Sequence, residues 1–458
     1  MQATPSAARQ RFDAALHHLR AGRANEAELL FRQVLAVDPH HAESLHLLGV
    51  IAYQTGRPDM AVDLIGKAIA SDPTNASSHS NLGNLLQQQE RLDEAIACYR
   101  RALALKPDFS QALNNLANAL KARNGPADAI ASYHGAIRLR PDDPEVHYNL
   151  GMALLACGDM AAGWEEYEWR WKTPQMSPAR PQFAQPQWRG EAAEGRTVLI
   201  HAEQGFGDTI QFCRYAPLVA ARGFRVILEV PTPLRRLLRT LPGIDRFMVD
   251  GEARPPFDLH CPMLSLPLAL RTTLATIPAA VPYLHADAAL VSDWGARLAM
   301  LETRGPRIGL VWAGNPRKQL IAAAATDRRR SIRPELLTSF INVPERQFFS
   351  LQKDGPAPPE HFRLIDFMDE MADFADTAAL IANLDLVISV DTSVAHLAAA
   401  LGKPVWLLDR FDACWRWLTG RRDSPWYPGL RLYRQPRPGD WDSVLAEVTH
   451  DLREFTVA

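Results

Sequence analysis

The chain has 458 residues, of which 47% are hydrophobic and 22% are charged, and its net charge is −2 at pH 7. This length predicts two or three domains, and the near-neutral charge argues against nucleic acid as the main partner, since phosphate binding needs a basic surplus. The five cysteines are scattered and odd in number, which predicts reduced thiols rather than a disulfide framework or a metal site. Met1 to Arg11 has no apolar signal core and no run reaches the roughly 18 apolar residues of a membrane helix, so we expect a cytoplasmic protein.

Residues 8–172 repeat every 34 residues. Position eight of each repeat is small, which allows two helices to approach closely, and position 32 of the first four is a proline, which cannot continue a helix interior. Position 24 is large enough to fill the space between two helices, and its members are Phe31, Ile65, Tyr99, Tyr133 and Tyr167. The pattern resembles the tetratricopeptide repeat and predicts five helical hairpins stacked as an α-solenoid.

Asparagines form a second periodic series within these repeats. Asn81, Asn115 and Asn149 stand at position six, and Asn84 and Asn118 at position nine. First-helix positions tend to face the inner groove of a solenoid, and an amide both donates and accepts hydrogen bonds, so it can bind a peptide backbone whatever the side chains. The row resembles the asparagine ladder of the O-linked N-acetylglucosamine transferases and predicts a groove for an extended peptide. The alternative is that asparagine suits a tight helix–helix contact, and the sequence leaves both open.

Between the repeats and the rest of the chain lies a segment rich in aromatic residues and prolines. The aromatics of residues 167–171 are expected to cap the apolar end of the last repeat. Four prolines follow within residues 174–186, and because proline disfavours a helix interior, residues 173–195 are predicted to form an extended, semi-rigid linker.

From Arg196 onward, strands alternate with helices. A strand over 197–201, a helix over 209–222 and a strand over 225–230 predict a parallel sheet. A helix near 288–301 is expected to connect this sheet to a second doubly wound unit. The strands predicted there span residues 307–312, 347–351, 386–390 and 405–408, with a helix over 394–401. We therefore predict sheet domains over 196–287 and 288–458.

The first of these strands is followed by a glycine-rich loop, Gly205-Phe206-Gly207-Asp208. It is neither a dinucleotide fingerprint nor a P-loop, because the third glycine and the Gly-Lys-Ser/Thr ending are missing. Its glycines allow close backbone approach to a ligand, and Asp208 is expected at the carboxyl end of the sheet, where it can take a proton from an acceptor hydroxyl. The alternative is that Asp208 is a helix N-cap.

A second loop, Asp391-Thr392-Ser393-Val394, follows the strand over 386–390 and opens a helix. The free N–H groups and the dipole at that helix N-terminus suit a diphosphate. His396, one turn further on, is expected to reach the same anion or a sugar hydroxyl. The alternative is an ordinary cap followed by a surface histidine.

Together these loops resemble the heptosyltransferase-type glycosyltransferases of GT-B fold, and more closely the bacterial proteins that fuse tetratricopeptide repeats to such a transferase. The stretches that carry the closer resemblance are residues 203–212, 309–316 and 424–428. The resemblance implies two facing Rossmann-like domains, an acceptor in the first, a nucleotide-sugar co-substrate in the second, and no further cofactor. It implies Asp208 as general base of an inverting transfer, with Gln204, Gly205 and Gly207 on the acceptor loop. It assigns donor binding to Asp391, Thr392, Ser393, Val394, His396 and Asn315.

The chain departs from that family where heptosyltransferases carry a lysine after the first strand of the second domain. This chain has Arg317-Lys318-Gln319 there, then an alanine-rich insert and a basic cluster that includes Arg329 and Arg330. Lys318 or one of these arginines is expected to neutralise the diphosphate leaving group. The alternative is a solvated basic loop, and the departure leaves the sugar open.

The sequence therefore predicts an α + α/β chain, an α-solenoid followed by a GT-B fold, which transfers a sugar to a protein hydroxyl held by the repeats without a metal ion. Two alternatives remain open, an inactive scaffold and a transferase that acts on a glycan or lipid-linked sugar. Asp440-Trp441-Asp442 has the spacing of a metal-binding motif, but it follows Pro438-Gly439 and is expected to cap the last helix. The aromatics over 415–427 are expected to fill a domain interface.

Overall fold

A computed structural model describes residues 5–192, 195–301, 305–315, 321–340 and 343–456, with side chains from residue 7 onward and without those of 321–323. The chain divides into two compact units, Met1–Ala153 and Leu154–Ala458. The first is a helical solenoid and the second contains two parallel sheets with helices, so the predicted α + α/β class is confirmed.

The solenoid consists of paired helices whose bounds follow the 34-residue period. Asn75 accepts hydrogen bonds from the N–H groups of Ser77 and Ser78 at the start of the fifth helix, which supplies partners for orphan donors. Tyr99 is fully buried beside Gly83, where small and large repeat positions meet. The helices are α1 (Pro5–Arg20), α2 (Ala24–Leu35), α3 (Ala42–Gln54), α4 (Pro58–Ser71), α5 (Ala76–Gln88), α6 (Leu92–Leu105), α7 (Ser110–Ala122), α8 (Pro126–Leu139) and α9 (Pro144–Cys157), the last of which ends in the second unit.

The second helix of the fifth hairpin, α10 (Met160–Tyr167), lies in the second unit. Its Trp164 ring is edge-on to Trp415, with ring centroids 5.2 Å apart. Just after α10, the fully buried Arg170 forms an ion pair with Glu203 at 2.8 Å. The aromatic segment predicted to cap the repeats is therefore packed into the interior of the sheet unit.

The proline-rich linker also packs against this unit. The backbone N–H of Trp188 donates to the His260 carbonyl at 2.8 Å. The Trp188 indole packs on Phe224, with ring centroids 5.5 Å apart. Phe183 covers the sheet face formed by Leu199 and its neighbours. The sequence predicted an extended linker, but the linker is not extended throughout, because residues 173–179 form turns that include a 3₁₀ helix at Ser177–Ala179. The residues that follow serve as a structural layer of the first sheet.

The first sheet is parallel with strand order β3-β2-β1-β4. The helix predicted over 209–222 is broken by a 3₁₀ turn at Cys213–Tyr215, because Pro217 has no N–H to donate to the Cys213 carbonyl. The elements are β1 (Thr197–His201), α11 (Phe206–Phe212), α12 (Ala216–Ala220), β2 (Arg225–Val230), α13 (Arg235–Leu238), β3 (Arg246–Val249), β4 (Leu259–Pro262) and α14 (Leu266–Ala269).

The second sheet is parallel with strand order β10-β9-β8-β5-β6-β7, and its predicted strands are confirmed to within one residue. One of its faces forms a core with the last helix, in which Ile388, Trp406 and Val448 are buried. The elements are α15 (Ala288–Ala299), β5 (Arg307–Val311), α16 (Ile321–Arg330), β6 (Gln347–Ser350), β7 (Ile365–Asp366), α17 (Phe374–Ala382), β8 (Leu386–Val390), α18 (Ser393–Ala400), β9 (Val405–Asp409), β10 (Leu430–Arg434) and α19 (Trp441–Glu454).

Candidate active site

The acceptor loop, residues Gln204–Asp208, leads from the carboxyl end of β1 into α11. Asp208 is the third residue of this helix, and its Oδ2 accepts a hydrogen bond from the Gly205 N–H at 2.9 Å. The side chain thus caps its own helix, although from inside the first turn rather than from the N-cap position. It remains 20% exposed, so the capping role leaves the carboxylate accessible.

Gly207 is needed for a contact within the protein. A Cβ at this position would lie 3.0 Å from Cδ2 of His396 and 3.5 Å from Cα of Ser393. The glycine therefore lets α11 approach the N-terminus of α18, whereas the sequence predicted that it serves close approach to a ligand. Gln204 also makes a protein contact, since its Nε2 donates to the Tyr167 hydroxyl at 3.2 Å.

A residue that the sequence analysis missed contacts the candidate base. Arg416, in the 3₁₀ turn that follows β9, donates from Nη2 to Oδ1 of Asp208. Its Nε donates to Oε1 of Gln211 at 2.9 Å. Asp208 and Arg416 are separated by 208 positions in the chain, and no local pattern joins them.

The donor loop, Asp391–Val394, follows β8 and opens α18. Thr392 is the N-cap residue, but among the described residues no side chain accepts a hydrogen bond from the N–H groups of the first turn. Its hydroxyl lies 3.1 Å from that of Ser389, and Nη1 of Arg330 donates to the Asp391 carbonyl at 2.9 Å. These contacts hold the loop in place, and the start of a helix is a candidate site for an anion.

His396 is buried rather than presented at the surface of the donor loop. It is 4% exposed, its Nδ1 lies 2.9 Å from the Tyr427 hydroxyl, and its ring stacks on Trp417 with centroids 5.2 Å apart. Burial lowers the pKa of His396 to about 4, so the ring is neutral at pH 7. The prediction that this side chain reaches a ligand does not match its position, because it packs α18 against α11.

The basic cluster at the end of α16 is organised by carboxylates. Arg330 binds Asp327, with Nη2 and Oδ1 2.8 Å apart. Arg329 binds Asp412, with Nε and Oδ2 3.2 Å apart, and Arg410 binds the other oxygen of Asp412 through its Nε at 3.1 Å. In the described part of the chain, no acceptor contacts Nη1 or Nη2 of Arg410.

This arrangement changes which cations are candidates for donor binding. Asp412 holds Arg329 and Arg410 together, and Arg410 directly follows β9, which is the neighbour of β8 in the sheet. Sequence reasoning missed Arg410 because a single arginine after a strand carries no motif. Asn315 is exposed beyond β5, and Lys318 lies outside the described residues.

The asparagines of the repeats make hydrogen bonds between helices. The Asn84 Oδ1 accepts from Nδ2 of Asn115 and from the Tyr99 hydroxyl, both at 2.8 Å. The Asn118 Oδ1 accepts from the Tyr133 hydroxyl at 2.6 Å.

The remaining members of the asparagine row are Asn81 and Asn149. Asn81 Nδ2 lies 3.2 Å from Nε2 of His46, and Asn149 is half-buried. The contacts match the helix–helix interpretation, yet each amide is only half-buried and keeps part of its surface exposed.

Two other predicted features have structural roles. The aromatics Trp415, Trp417, Trp426 and Tyr427 are all buried, and the Trp426 carbonyl accepts from Nη1 of Arg214 at 2.7 Å, so they fill the interface between the two sheets as predicted. Asp440 accepts from the Ser443 N–H at 3.1 Å and caps α19. Across the described residues, no three side chains of the metal-binding types are grouped around one point.

A membrane span requires a helix that is both long and apolar. None of the helices that the structure describes combines the length and the apolar character that a membrane crossing requires.

Models of known protein families match segments in both halves of the chain. Residues 12–76, 76–109 and 127–158 match tetratricopeptide repeat models. Residues 371–408 match the model of glycosyltransferase family 9 (heptosyltransferase), and this stretch contains the donor loop. The chain is thus a tetratricopeptide repeat solenoid joined to a sheet region that resembles family 9.

One curated relative and two solved structures are similar over part of the chain. Protein FlbA of Caulobacter vibrioides is 30% identical over 336 residues, which are 67% of this chain and 54% of FlbA, so the chain spans about half the length of that relative. The crystal structure of MamA is 21% identical and covers 36% of this chain and 97% of its own, with a TM-score of 0.33. PilF of Pseudomonas aeruginosa is 25% identical and covers 39% and 79%, with a TM-score of 0.34.

Proposed function

We propose that this chain, in which tetratricopeptide repeats precede a region similar to glycosyltransferase family 9, moves a sugar from a nucleotide-sugar donor to a hydroxyl group of a protein segment held by the repeats. The observation that carries the proposal is the contact between the two loops, since a Cβ on Gly207 would lie 3.5 Å from Cα of Ser393. The carboxylate that follows Gly207 is therefore close to the uncapped N-terminus of α18.

The proposed reaction uses each loop for one part of the bond exchange. A carboxylate oxygen of Asp208 takes the proton of the acceptor hydroxyl, and the resulting oxygen attacks the anomeric carbon from the face opposite the leaving group. The bond from that carbon to the phosphate oxygen breaks, and its electron pair leaves with the nucleoside diphosphate. The product sugar has an inverted anomeric configuration.

Positive charge from the protein itself stabilises the departing diphosphate in this proposal. In the part of the chain that the structure describes, the N–H groups at the start of α18 have no side-chain acceptor, and the helix dipole favours an anion there. Arg329 and Arg410 are oriented by Asp412 through their Nε atoms. Preorganised donors of this kind stabilise charge that develops in a transition state.

The first experiment replaces the candidate base. Asp208→Asn should abolish sugar transfer while leaving donor affinity unchanged, because the amide keeps the size of the side chain but cannot accept the proton. Donor affinity is measured by calorimetry with a panel of UDP-, GDP-, ADP- and CMP-sugars, and Asp423→Asn, at an exposed ion pair with Arg421, is the matched control. Near-normal turnover of Asp208→Asn would refute the assignment.

One observation favours a second candidate, a scaffold without activity. Both oxygens of Asp208 already have partners, Gly205 on one side and Arg416 on the other. Calorimetry with the same panel separates the two functions, because a scaffold that has lost its transferase activity and its donor site binds no nucleotide sugar.

A second experiment addresses the acceptor. Asn115→Ala combined with Asn149→Ala should weaken transfer to a protein acceptor and spare hydrolysis of the donor, since the amides belong to the repeat groove. Asp63→Asn, at an exposed pair with Lys67 on α4, is the control. Mass spectrometry of co-expressed proteins identifies the acceptor, and equal loss of transfer and hydrolysis would reject the groove. Sugar found on a glycan or lipid-linked sugar would instead favour a transferase whose acceptor is not a protein.

A further inference from the structure

Arg416 is fixed on all sides at the boundary between the two sheets. Its Nη2 donates to Oδ1 of Asp208, its Nε to Oε1 of Gln211 at 2.9 Å, and its Nη1 to Sγ of Cys414 at 3.2 Å. The residue is only 8% exposed. A guanidinium whose three edges are all bonded cannot rotate without breaking a contact.

Aromatic packing holds the plane of this guanidinium. It lies 4.3 Å from the centroid of the Trp415 ring and 5.9 Å from that of Phe212. Trp415 is in turn packed against α10, with centroids 5.2 Å from Trp164 and 6.0 Å from Tyr167. The position of Arg416 is thus determined by elements on both sides of the interface.

The other groups around Asp208 do not replace this cation. The Gly205 N–H binds the second carboxylate oxygen. His396, on α18, faces α11, the helix that carries Asp208. Its ring is neutral at pH 7, because burial lowers the pKa of His396 to about 4. Arg214 of the first sheet domain binds the carbonyls of Gln211 and Trp426 instead. Within the described ranges, Arg416 is therefore the cation bound to this carboxylate.

We propose that Arg416 is a positioning residue, which holds the Asp208 carboxylate in the orientation that receives the proton of the acceptor hydroxyl. The inference rests on the proposed function. Each carboxylate oxygen can accept two hydrogen bonds, so the contacts with Gly205 and Arg416 leave one position on each oxygen for the acceptor. Because Arg416 belongs to the second sheet domain, the donor half sets the geometry of the base in the acceptor half.

The experiment compares Arg416→Ala and Arg416→Lys with the wild type. The rate of nucleotide release is measured with the nucleotide sugar that calorimetry selects from the UDP-, GDP-, ADP- and CMP-sugar panel. Arg416→Ala should lower kcat about 100-fold and leave the KM for the donor within about threefold, because the donor does not contact this side chain in the proposal.

Three further readouts separate positioning from structural support. Free guanidinium at millimolar concentration should restore part of the activity of Arg416→Ala, and Arg416→Lys should keep more of the wild-type kcat than Arg416→Ala does. Cys414→Ala, which removes only one contact, should change kcat in the same direction but less. Arg236→Gln is the matched control, because it removes another ion pair between the sheet domains, with Asp373 and Asp376, away from Asp208.

Several results would overturn the inference. They are a loss of kcat in Arg416→Ala that guanidinium does not rescue, an equal loss in Arg236→Gln, and a kcat of Arg416→Ala above that of the wild type, which would make the ion pair inhibitory. An active wild type with unaffected Arg416 variants would overturn this inference alone. A wild type that binds no nucleotide sugar would instead overturn the proposed function and, with it, this inference.

Discussion

Protonation of His396 should destabilise the second unit as the pH falls below neutrality. The ring is 4% exposed and lies between Trp417 and Tyr427. Burial lowers the pKa of His396 from 6.5 to about 4, so the unfolded chain binds the proton more tightly than the folded chain does. The stability that depends on the neutral ring is therefore present above about pH 6.5 and is lost as the pH falls toward about 4.

The size of the effect follows from these two pKa values. Between pH 7 and pH 5, this single group should lower the free energy of unfolding by about 2 kcal/mol. His201 acts in the same direction, since burial lowers the pKa of His201 to about 3. Asp409 acts in the opposite direction, because burial raises the pKa of Asp409 to about 6, and acidification then favours its folded form. Only a comparison of variants isolates His396.

Urea unfolding at pH 7 and pH 5 provides the assay. His396→Gln keeps a polar group beside Tyr427 but has no titrating ring, and His450→Gln, on the exposed side of α19, is the control. The wild type and His450→Gln should each lose about 2 kcal/mol more than His396→Gln between the two pH values. An equal pH dependence in the wild type and His396→Gln would refute the assignment of the acid sensitivity to this ring.

Three further predictions test the packing and the donor site. Gly83→Ala should lower the melting temperature of the repeat unit, because its Cβ would lie 2.6 Å from the Tyr99 ring. Gly66→Ala has no atom within 4 Å of its Cβ and should raise the free energy of unfolding by about 1 kcal/mol. A stabilising Gly83→Ala and a destabilising Gly66→Ala would contradict the packing. Trp188→Ala should cost about 3–5 kcal/mol by denaturant unfolding, and an unchanged midpoint would show that the linker is not part of the sheet unit. Arg410→Gln should weaken binding of UDP, ADP or GDP about tenfold by calorimetry, and unchanged affinity for all three would reject its role.

The repeat helices were predictable because their signals are local. Each hairpin carries its small residue and its large residue at fixed positions, the first four also carry a proline, and neighbouring repeats supply the contacts that bury them. The strands β1, β2 and β8 were predictable for a similar reason, since each contains three consecutive aliphatic residues.

Other strands lack such a signal. β7 has only two residues and β4 contains a proline and a histidine, so their pairing depends on the strand beside them. The linker is a related case, because its proline content indicates an extended chain but says nothing about the sheet edge that Trp188 contacts.

In the candidate site, too, the residues with a local sequence signal were predictable and the others were not. Glycine spacing and an acidic residue after a buried strand were enough to indicate Asp208, and an N-cap after a second strand was enough to indicate Thr392 and the donor loop. The surroundings of His396 were not predictable, since its spacing from the loop is the same whether the ring faces solvent or packs on Trp417.

The sequence by itself determined the 34-residue solenoid, the longer strands of the two sheets and the two loops, because each of these depends on residues that are neighbours in the chain. Only the tertiary structure decided that Gly207 serves the contact between α11 and α18, that Asp412 joins Arg329 to Arg410, and that Arg416 binds Asp208. These contacts join residues far apart in sequence, and they arise when the strands of the two sheets pair and bring their carboxyl ends and following helices together.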